Sequence, residues 1–275
     1  MTANGAKVML VTGATDGLGR SLATELAGRG ATVLIHGRDE GRGRDVIGQI
    51  ESETGNRDLR WYGADLASLA EVRELADRVE QEEERLDALV CNAGIGNTLP
   101  GDGERMESRD GYELRFAVNY LAHFLLARRL VPLIERSAPA RIVNVSSAGQ
   151  APIDFDDVML ERGYNGVQAY CQSKLAQVMM TFDLAEELGD AGVTANCLHP
   201  ATYMPTKIVT HAGTNPASSL EEGTEATRRL VVDPELDGVT GRYFDGTTES
   251  RAHAQAYDTD ARRRLRELSE RLVGL

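Results

Sequence analysis

Lysine is nearly missing from this chain. Its 30 basic residues include only Lys7, Lys174 and Lys207, and all the others are arginine. The excess of arginine suggests a GC-rich genome, and a retained ammonium marks a place where a guanidinium would serve less well. Cysteine is also scarce: Cys91, Cys171 and Cys197 form no CxxC pair and have no neighbouring histidine pattern. This excludes a disulfide framework and a structural zinc site, so no metal is expected. No apolar run approaches the roughly 18 residues of a membrane span. The N-terminal MTANGAKVMLVTG gives only a short apolar run before a glycine-rich turn, so no export signal is read and the cytoplasm is expected. Excess positive charge is absent as well. With a net charge of -13 and a pI near 4.9, the surface suits neither nucleic acid nor an anionic membrane. Repeats, low-complexity tracts and Pro/Gly/Ser linkers are lacking, so the 275 residues are read as one domain, 1–275.

Short apolar runs alternate with longer helical patterns. KVMLVT, ATVLIHG, LRWYGAD, LDALVCNAG, RIVNVSS, VTANCLHP and GRYFDG read as strands, and their near-continuous apolar character suits a parallel sheet buried on both faces. Between them, about 17–29, 40–54, 68–85, 111–136 and 167–189 carry helix formers with apolar residues three and four apart. Alternation of strand and helix calls for right-handed crossovers. The predicted fold is therefore α/β, a doubly wound parallel sheet of about seven strands with helices on both faces. The least regular stretch, about 201–221, follows the sixth strand, where open α/β sheets place ligand clefts, and a lid is expected over about 201–227. The chain closes on DARRRLRELSERLVGL, where Leu265, Leu268, Leu272 and Val273 give a helix over about 258–273 one apolar face, suited to a surface helix or a partner-binding one.

TGATDGLGR, residues 12–20, follows the first strand directly. Gly13, Gly17 and Gly19 remove side chains where the backbone turns sharply and where a pyrophosphate would approach the N-terminus of the next helix, with Thr15, Asp16 and Leu18 completing the turn. A tight strand-to-helix turn wants glycine for backbone reasons too, but the position after strand one favours a dinucleotide. An acidic residue at the end of the second strand would hold a ribose 2′-hydroxyl and repel a 2′-phosphate. LIHGRD instead puts Gly37 there and Arg38 next, and a guanidinium fork suits a phosphate. NADP(H) is thus the expected cofactor; Asp16 opposes that reading by its charge, and a plain surface arginine is the alternative for Arg38.

AYCQSK, 169–174, places Tyr170 and Lys174 four residues apart on one helix face, with no acidic residue in the stretch. An ammonium near a phenol favours the phenolate, bringing a group that titrates near 10 toward the operating pH as a proton donor and acceptor. An isolated YxxxK would more simply be a tyrosine packed over a lysine stem. Ser147 ends the fifth strand, where its hydroxyl can donate to a carbonyl or alkoxide, and alternation turns Ser146 to the other face. Asn119 lies in a helical pattern as a poor helix former, and a buried amide serving the backbone is its plain alternative. Asn92, Ala93 and Gly94, after the fourth strand, are candidates to line a nucleotide cleft.

TGATDGLG, the NAG of 92–94, VNYLAHF around Asn119, VNVSS ending at Ser147 and YCQSK together resemble a short-chain dehydrogenase/reductase over nearly the whole chain. FDD at 155–157, AYCQSKLAQ and LSERL resemble its retinol-dehydrogenase-like branch. The resemblance implies a Rossmann fold and a catalytic set of Asn119, Ser147, Tyr170 and Lys174, with Asn119 anchoring a water that relays protons through Lys174. It implies hydride transfer between nicotinamide and a carbonyl or secondary alcohol, with Tyr170 as acid/base. Asp65 and Leu66 are expected at the adenine edge. The insertion 149–168 is similar to the branch and is expected in the substrate wall. HPATYMPTK departs from the family in placing Ala201 after Pro200 where many relatives have glycine, so Thr202 or Thr206 must contact the nicotinamide amide.

His199 and His211 read as structural. Met159, Leu160, Met204 and Ile208 favour a bulky apolar small-molecule substrate. Redox-neutral epimerisation or cyclisation in biosynthesis is the competing enzymatic reading. A nucleotide sensor is the non-enzymatic one, disfavoured by the intact Ser147, Tyr170 and Lys174. Relatives commonly form dimers or tetramers through the helices at 111–136 and 167–189, so a homodimer or homotetramer is expected, with no nucleic acid and no membrane as partners.

Overall fold

The computed structural model describes residues 6–97, 104–211 and 213–275; the first five residues of the N-terminal reading and one residue of the expected lid lie outside them. Eight strands form one sheet: β1 Val8–Val11, β2 Thr32–Gly37, β3 Leu59–Gly63, β4 Ala88–Cys91, β5 Ala140–Val145, β6 Val193–His199, β7 Tyr243–Asp245 and β8 Thr248–Ser250. Their order is β3-β2-β1-β4-β5-β6-β7-β8, with every pair parallel except β7 and β8. The strand order reverses between β1 and β4, so the carboxyl ends of those strands open a crevice at the switch point.

Alternation along β1 explains the two cores. Val8 and Leu10 face one apolar layer and Met9 and Val11 the other, because successive side chains point to opposite faces. On the first face lie α3 Leu69–Glu82, α4 Ala122–Arg136 and α5 Gly166–Leu188; on the second lie α1 Gly17–Gly28, α2 Glu40–Thr54 and α7 Leu220–Val232. The short α6 Lys207–His211 precedes α7, and α8 Thr259–Val273 ends the chain. Polar side chains start these helices: Asp16, Asp39, Ser68, Asn165 and Asp258 each accept a first-turn N–H, and Ser219 closes a capping box with Glu222.

The strand count corrects the sequence-based expectation of about seven. β8 is a short antiparallel edge whose residues Thr-Glu-Ser are all exposed, so it carries no apolar signal. The helix expected from residue 111 starts later, because Glu113 bridges Glu107 in an extended pair and then accepts the Phe116 N–H through its carboxylate at 2.7 Å. Phe116–Leu121 then forms a π-helical turn leading into α4. Residues 220–227 of the expected lid are the first turns of α7, packed on α1 through Gly223 against Leu18 and Thr224 against Ser21. The C-terminal helix falls where its leucines place it, but its apolar face is not free. Leu265 is fully buried, Tyr120 and Ser269 share a hydrogen bond of 2.8 Å, and Arg262 pairs with Asp183 and Glu186 of α5. Part of the helix surface expected to build an oligomer is thus covered by the chain itself. No described helix is long and apolar enough to cross a membrane.

Candidate active site

The turn between β1 and α1 closes tightly. Gly13 has φ +66°, and a Cβ on Gly19 would lie 2.3 Å from the Gly13 carbonyl oxygen, so only glycine lets the first turn of α1 pack this close. The Asp16 carboxylate accepts from Gly17 N at 2.8 Å, whereas the N–H groups of Leu18 and Gly19 bond no other described residue. They leave donors at the positive end of α1, the arrangement that takes a phosphate. Lys207 pairs with Asp16 across this mouth. Burial works to raise the Asp16 carboxyl, but the Lys207 ammonium and the Gly17 N–H outweigh it and hold the group below its ordinary value.

At the end of β2 a Cβ on Gly37 would come within 2.7 Å of the Thr15 methyl and 3.1 Å of the Trp61 ring. Thr15 and Trp61 thus fill the space where an acid would stand. Arg38 is exposed and makes no ion pair with any described residue, and Asp39 turns back to cap α2 by accepting Arg42 N at 3.0 Å. Asp65, just past β3, accepts Ala67 N at 3.0 Å and faces Arg109 at 3.5 Å, with Leu66 buried beside it. Arg38 and Asp65 therefore share one end of the crevice.

Asn92, Ala93 and Gly94 follow β4 and are pinned to β1 by a residue the sequence reading passed over. The Thr12 hydroxyl accepts the N–H groups of Asn92 at 2.8 Å and Ala93 at 3.0 Å and lies 3.0 Å from His123 Nε2. Asn92 Nδ2 donates to the Thr12 carbonyl at 2.7 Å. His123 Nδ1 is 2.9 Å from the Asn119 carbonyl oxygen, and burial pulls this imidazole down to about 4, leaving it neutral at ordinary pH. His36, also brought down to about 4 by burial, accepts Gly13 N at 3.1 Å and braces the glycine turn from below.

The four expected catalytic residues meet at the carboxyl ends of β4 and β5. Asn119 sits in the π-helical turn, an irregularity frequent at functional sites. Its side chain accepts Ile95 N at 2.8 Å and donates to Ile95 O at 3.1 Å and Ser173 Oγ at 3.0 Å, so the amide secures the loop after β4. Ser147 Oγ accepts Gly149 N at 3.0 Å and sits beside the Tyr170 ring, the two lying 3.5 and 3.8 Å from where a Gly149 Cβ would stand. Ser146 donates to the Lys174 carbonyl at 2.8 Å, so its hydroxyl is spent on the backbone of α5. Lys174 Nζ lies 5.8 Å from the Tyr170 ring centre and donates to Val145 O at 3.0 Å and Gln177 Oε1 at 2.9 Å.

The electrostatics differ from the simple ammonium-phenol argument. Burial pushes the Tyr170 phenol up, and the neighbouring Ser147 hydroxyl opposes that shift. Burial pulls the Lys174 ammonium down to about 7. Desolvation outweighs attraction between the two groups, and the phenol stays protonated at neutral pH.

Beyond β6, Pro200 is buried and Ala201 packs against the second core layer. Thr202 is exposed and its hydroxyl lies 3.0 Å from His199 Nε2, while Tyr203 takes φ +50°. Thr206 is the threonine against the glycine turn, its methyl 3.2 Å from where a Gly17 Cβ would stand. Met204 and Leu160 are buried in packing, which leaves Ile208, over Gly96, as the exposed aliphatic of the four singled out for substrate. The side chain of His211 lies outside the described residues. The 149–168 insertion is fastened from beneath by Arg115, which is fully buried and donates to Gly96 O at 2.9 Å, Asn97 O at 2.9 Å and Tyr164 OH at 2.6 Å. Sequence reasoning missed this arginine because its partners come from two other segments.

The free donors of the α1 N-terminus, the glycine-lined crevice and an ammonium with a donor to spare fit a dinucleotide. Among the described residues no cluster of metal-ligating side chains occurs. Comparison with known proteins gives the same picture. Residues 7–216 match the short chain dehydrogenase family. Retinol dehydrogenase 13 of Homo sapiens is 38% identical over 98% of this chain and 85% of its own. The crystal structure of an uncharacterized protein from Mycobacterium Paratuberculosis superimposes with a TM-score of 0.77 at 28% identity, covering 98% of this chain and 93% of that one. The Pseudomonas aeruginosa RhlG/NADP complex does so with a TM-score of 0.69 at 27% identity over 89% and 96%.

Proposed function

We propose a reaction on a plain premise: the chain belongs to the short chain dehydrogenase family, whose members are oxidoreductases that use nicotinamide cofactors. The reaction is NADP(H)-dependent interconversion of a carbonyl and a secondary alcohol on a bulky apolar substrate. The observation that carries it is the meeting of Ser147, Tyr170 and Lys174 beside the glycine turn. The cofactor supplies the hydride. Tyr170, held protonated by burial, donates its phenol proton to the substrate oxygen, so the form present near neutral pH is the one that carbonyl reduction needs. Ser147 orients that oxygen with its own hydroxyl, which is free to donate because Gly149 uses it as an acceptor. Lys174 and Asn119 hold the route by which the phenol regains its proton.

Leu18 and Gly19 would hold the pyrophosphate, Arg38 the 2′-phosphate, Asp65 and Leu66 the adenine edge, Asn92, Ala93 and Gly94 the cleft floor, and Thr206 the nicotinamide end. NADP bound to RhlG and the likeness to retinol dehydrogenase 13 support this choice of cofactor and of an apolar substrate, as do the exposed Ile208 and Tyr203. We place the enzyme in the cytoplasm as a homodimer or homotetramer whose contacts avoid the surface under α8, with 201–219 acting as the lid. The test is incubation with NADPH and a series of apolar aldehydes and ketones. Loss of nicotinamide absorbance in step with alcohol formation is expected, and Tyr170→Phe should lower turnover by at least about 100-fold while NADPH binding stays near native. Product formed at constant absorbance would replace this reading with redox-neutral chemistry, and binding without any turnover would leave a sensor.

A further inference from the structure

Gln177 is three residues beyond Lys174 on α5 and has no exposed surface. Its side-chain oxygen accepts from Lys174 Nζ at 2.9 Å, while its Nε2 is buried without a partner among the described residues. A buried amide with an unsatisfied donor is a cost to the fold that a leucine or methionine of similar size would not incur. The side chain is also not oriented by its own donor, so its placement answers to the lysine.

Lys174 has three N–H donors. Val145 O takes one at 3.0 Å and Gln177 takes another. The ammonium lies only 3.6 Å from where a Gly94 Cβ would stand, so the remaining donor has the crevice floor within reach. We propose that Gln177 is a positioning residue of the active site: with the Val145 carbonyl it tethers two donors of the Lys174 ammonium, so that the third is presented to the bound nucleotide at Gly94. This rests on the dinucleotide reading above for what the third donor meets, but not for the tether itself.

The surroundings make the tether measurable. Among the described residues, the titratable groups facing the ammonium are Tyr170 on its own helix, held protonated by burial, and His123 from α4, which burial keeps neutral above about 4. No carboxylate is among them, so the charge depends on neutral carbonyl acceptors. The protein has only three lysines, so carbon-13 labelling of the lysine ε-carbons gives three resonances, and the one lost in Lys174→Arg is Lys174.

We would follow that resonance against pH in the native protein, Gln177→Met and Gln177→Glu, with NADPH binding measured in parallel and thermal unfolding as a check of folding. The native ammonium should titrate near 7. Gln177→Met, which removes the acceptor, should move the midpoint down by about one pH unit and weaken NADPH about fivefold at neutral pH. Gln177→Glu should move it up. Opposite shifts are not expected from a side chain that only fills space. A midpoint unchanged in both variants would overturn the proposal, even if both unfold at lower temperature. Native protein that binds neither NADPH nor NADH would instead overturn the dinucleotide reading, and the lysine titration would still decide whether Gln177 holds the ammonium.

Discussion

Arg38 is an exposed guanidinium at the end of β2 that pairs with no described residue, beside a position where a Cβ would crowd Thr15 and Trp61. If it reads the 2′-phosphate, Arg38→Ile should weaken NADPH about 30-fold, the equivalent of about 2 kcal/mol for a charge-assisted bond, while NADH binding changes little. The measurement is titration of both cofactors, and equal losses for the two would sink the assignment. Gly37→Asp, which an argument from sequence would add to convert the preference, is expected to fail, because its Cβ would meet Thr15 at 2.7 Å. Residues of this kind were legible where chemistry and neighbours lie together in the chain, as in GRD or YCQSK. Thr12, His123 and Gln177 were not. Thr12 matters because its hydroxyl meets N–H groups 80 and 81 residues away, and Gln177 because folding buries it against an ammonium. The raised Tyr170 phenol was misjudged for the same reason, since spacing shows which charges are near and not how much water is lost.

At the scale of elements, the fastening between the loop after β4, the π-helical turn and the 149–168 insertion is the testable feature. Arg115 and Glu113 lie 3.6 Å apart with both side chains fully buried, and Tyr164 bonds both of them. Arg115→Met should leave the Glu113 carboxylate buried without its cation and cost about 3–5 kcal/mol of stability, and the added change Glu113→Gln should restore much of it. Urea unfolding of the three proteins checks this, and additive losses in the double variant would remove the pair from its role. The helices and strands of the central sheet were legible because burial on both faces forces continuous apolar runs. α7 was not read, although Ala226, Leu230 and Val231 give it a buried apolar face, because Gly223, Thr224 and Thr227 interrupt that face and its first turns continue the irregular stretch after β6. The start of the helix before α4 was misplaced because Glu113 is held by a bridge and a cap rather than by a local preference.

For the molecule as a whole, the active site is a load on stability, and Lys174 shows its size and sign. The ammonium titrates near 10.5 when unfolded and is pulled down to about 7 by burial in the native protein. Between those values the unfolded chain binds more protons than the folded one, so stability rises with pH across that window. Below about 7 both states carry the charge and the penalty is complete; above about 10.5 neither does and the penalty is gone. Lys174→Met removes the group. It also leaves Val145 O and Gln177 without their donor, a loss that does not vary with pH. The variant should therefore gain stability relative to native most at pH 7, and that gain should shrink steadily as pH approaches 10.5. Urea midpoints of the two proteins at several pH values give the answer. A difference that stays constant across the window would mean that burial does not lower the lysine in the native fold, and the account of the site as a desolvated ammonium would have to be abandoned.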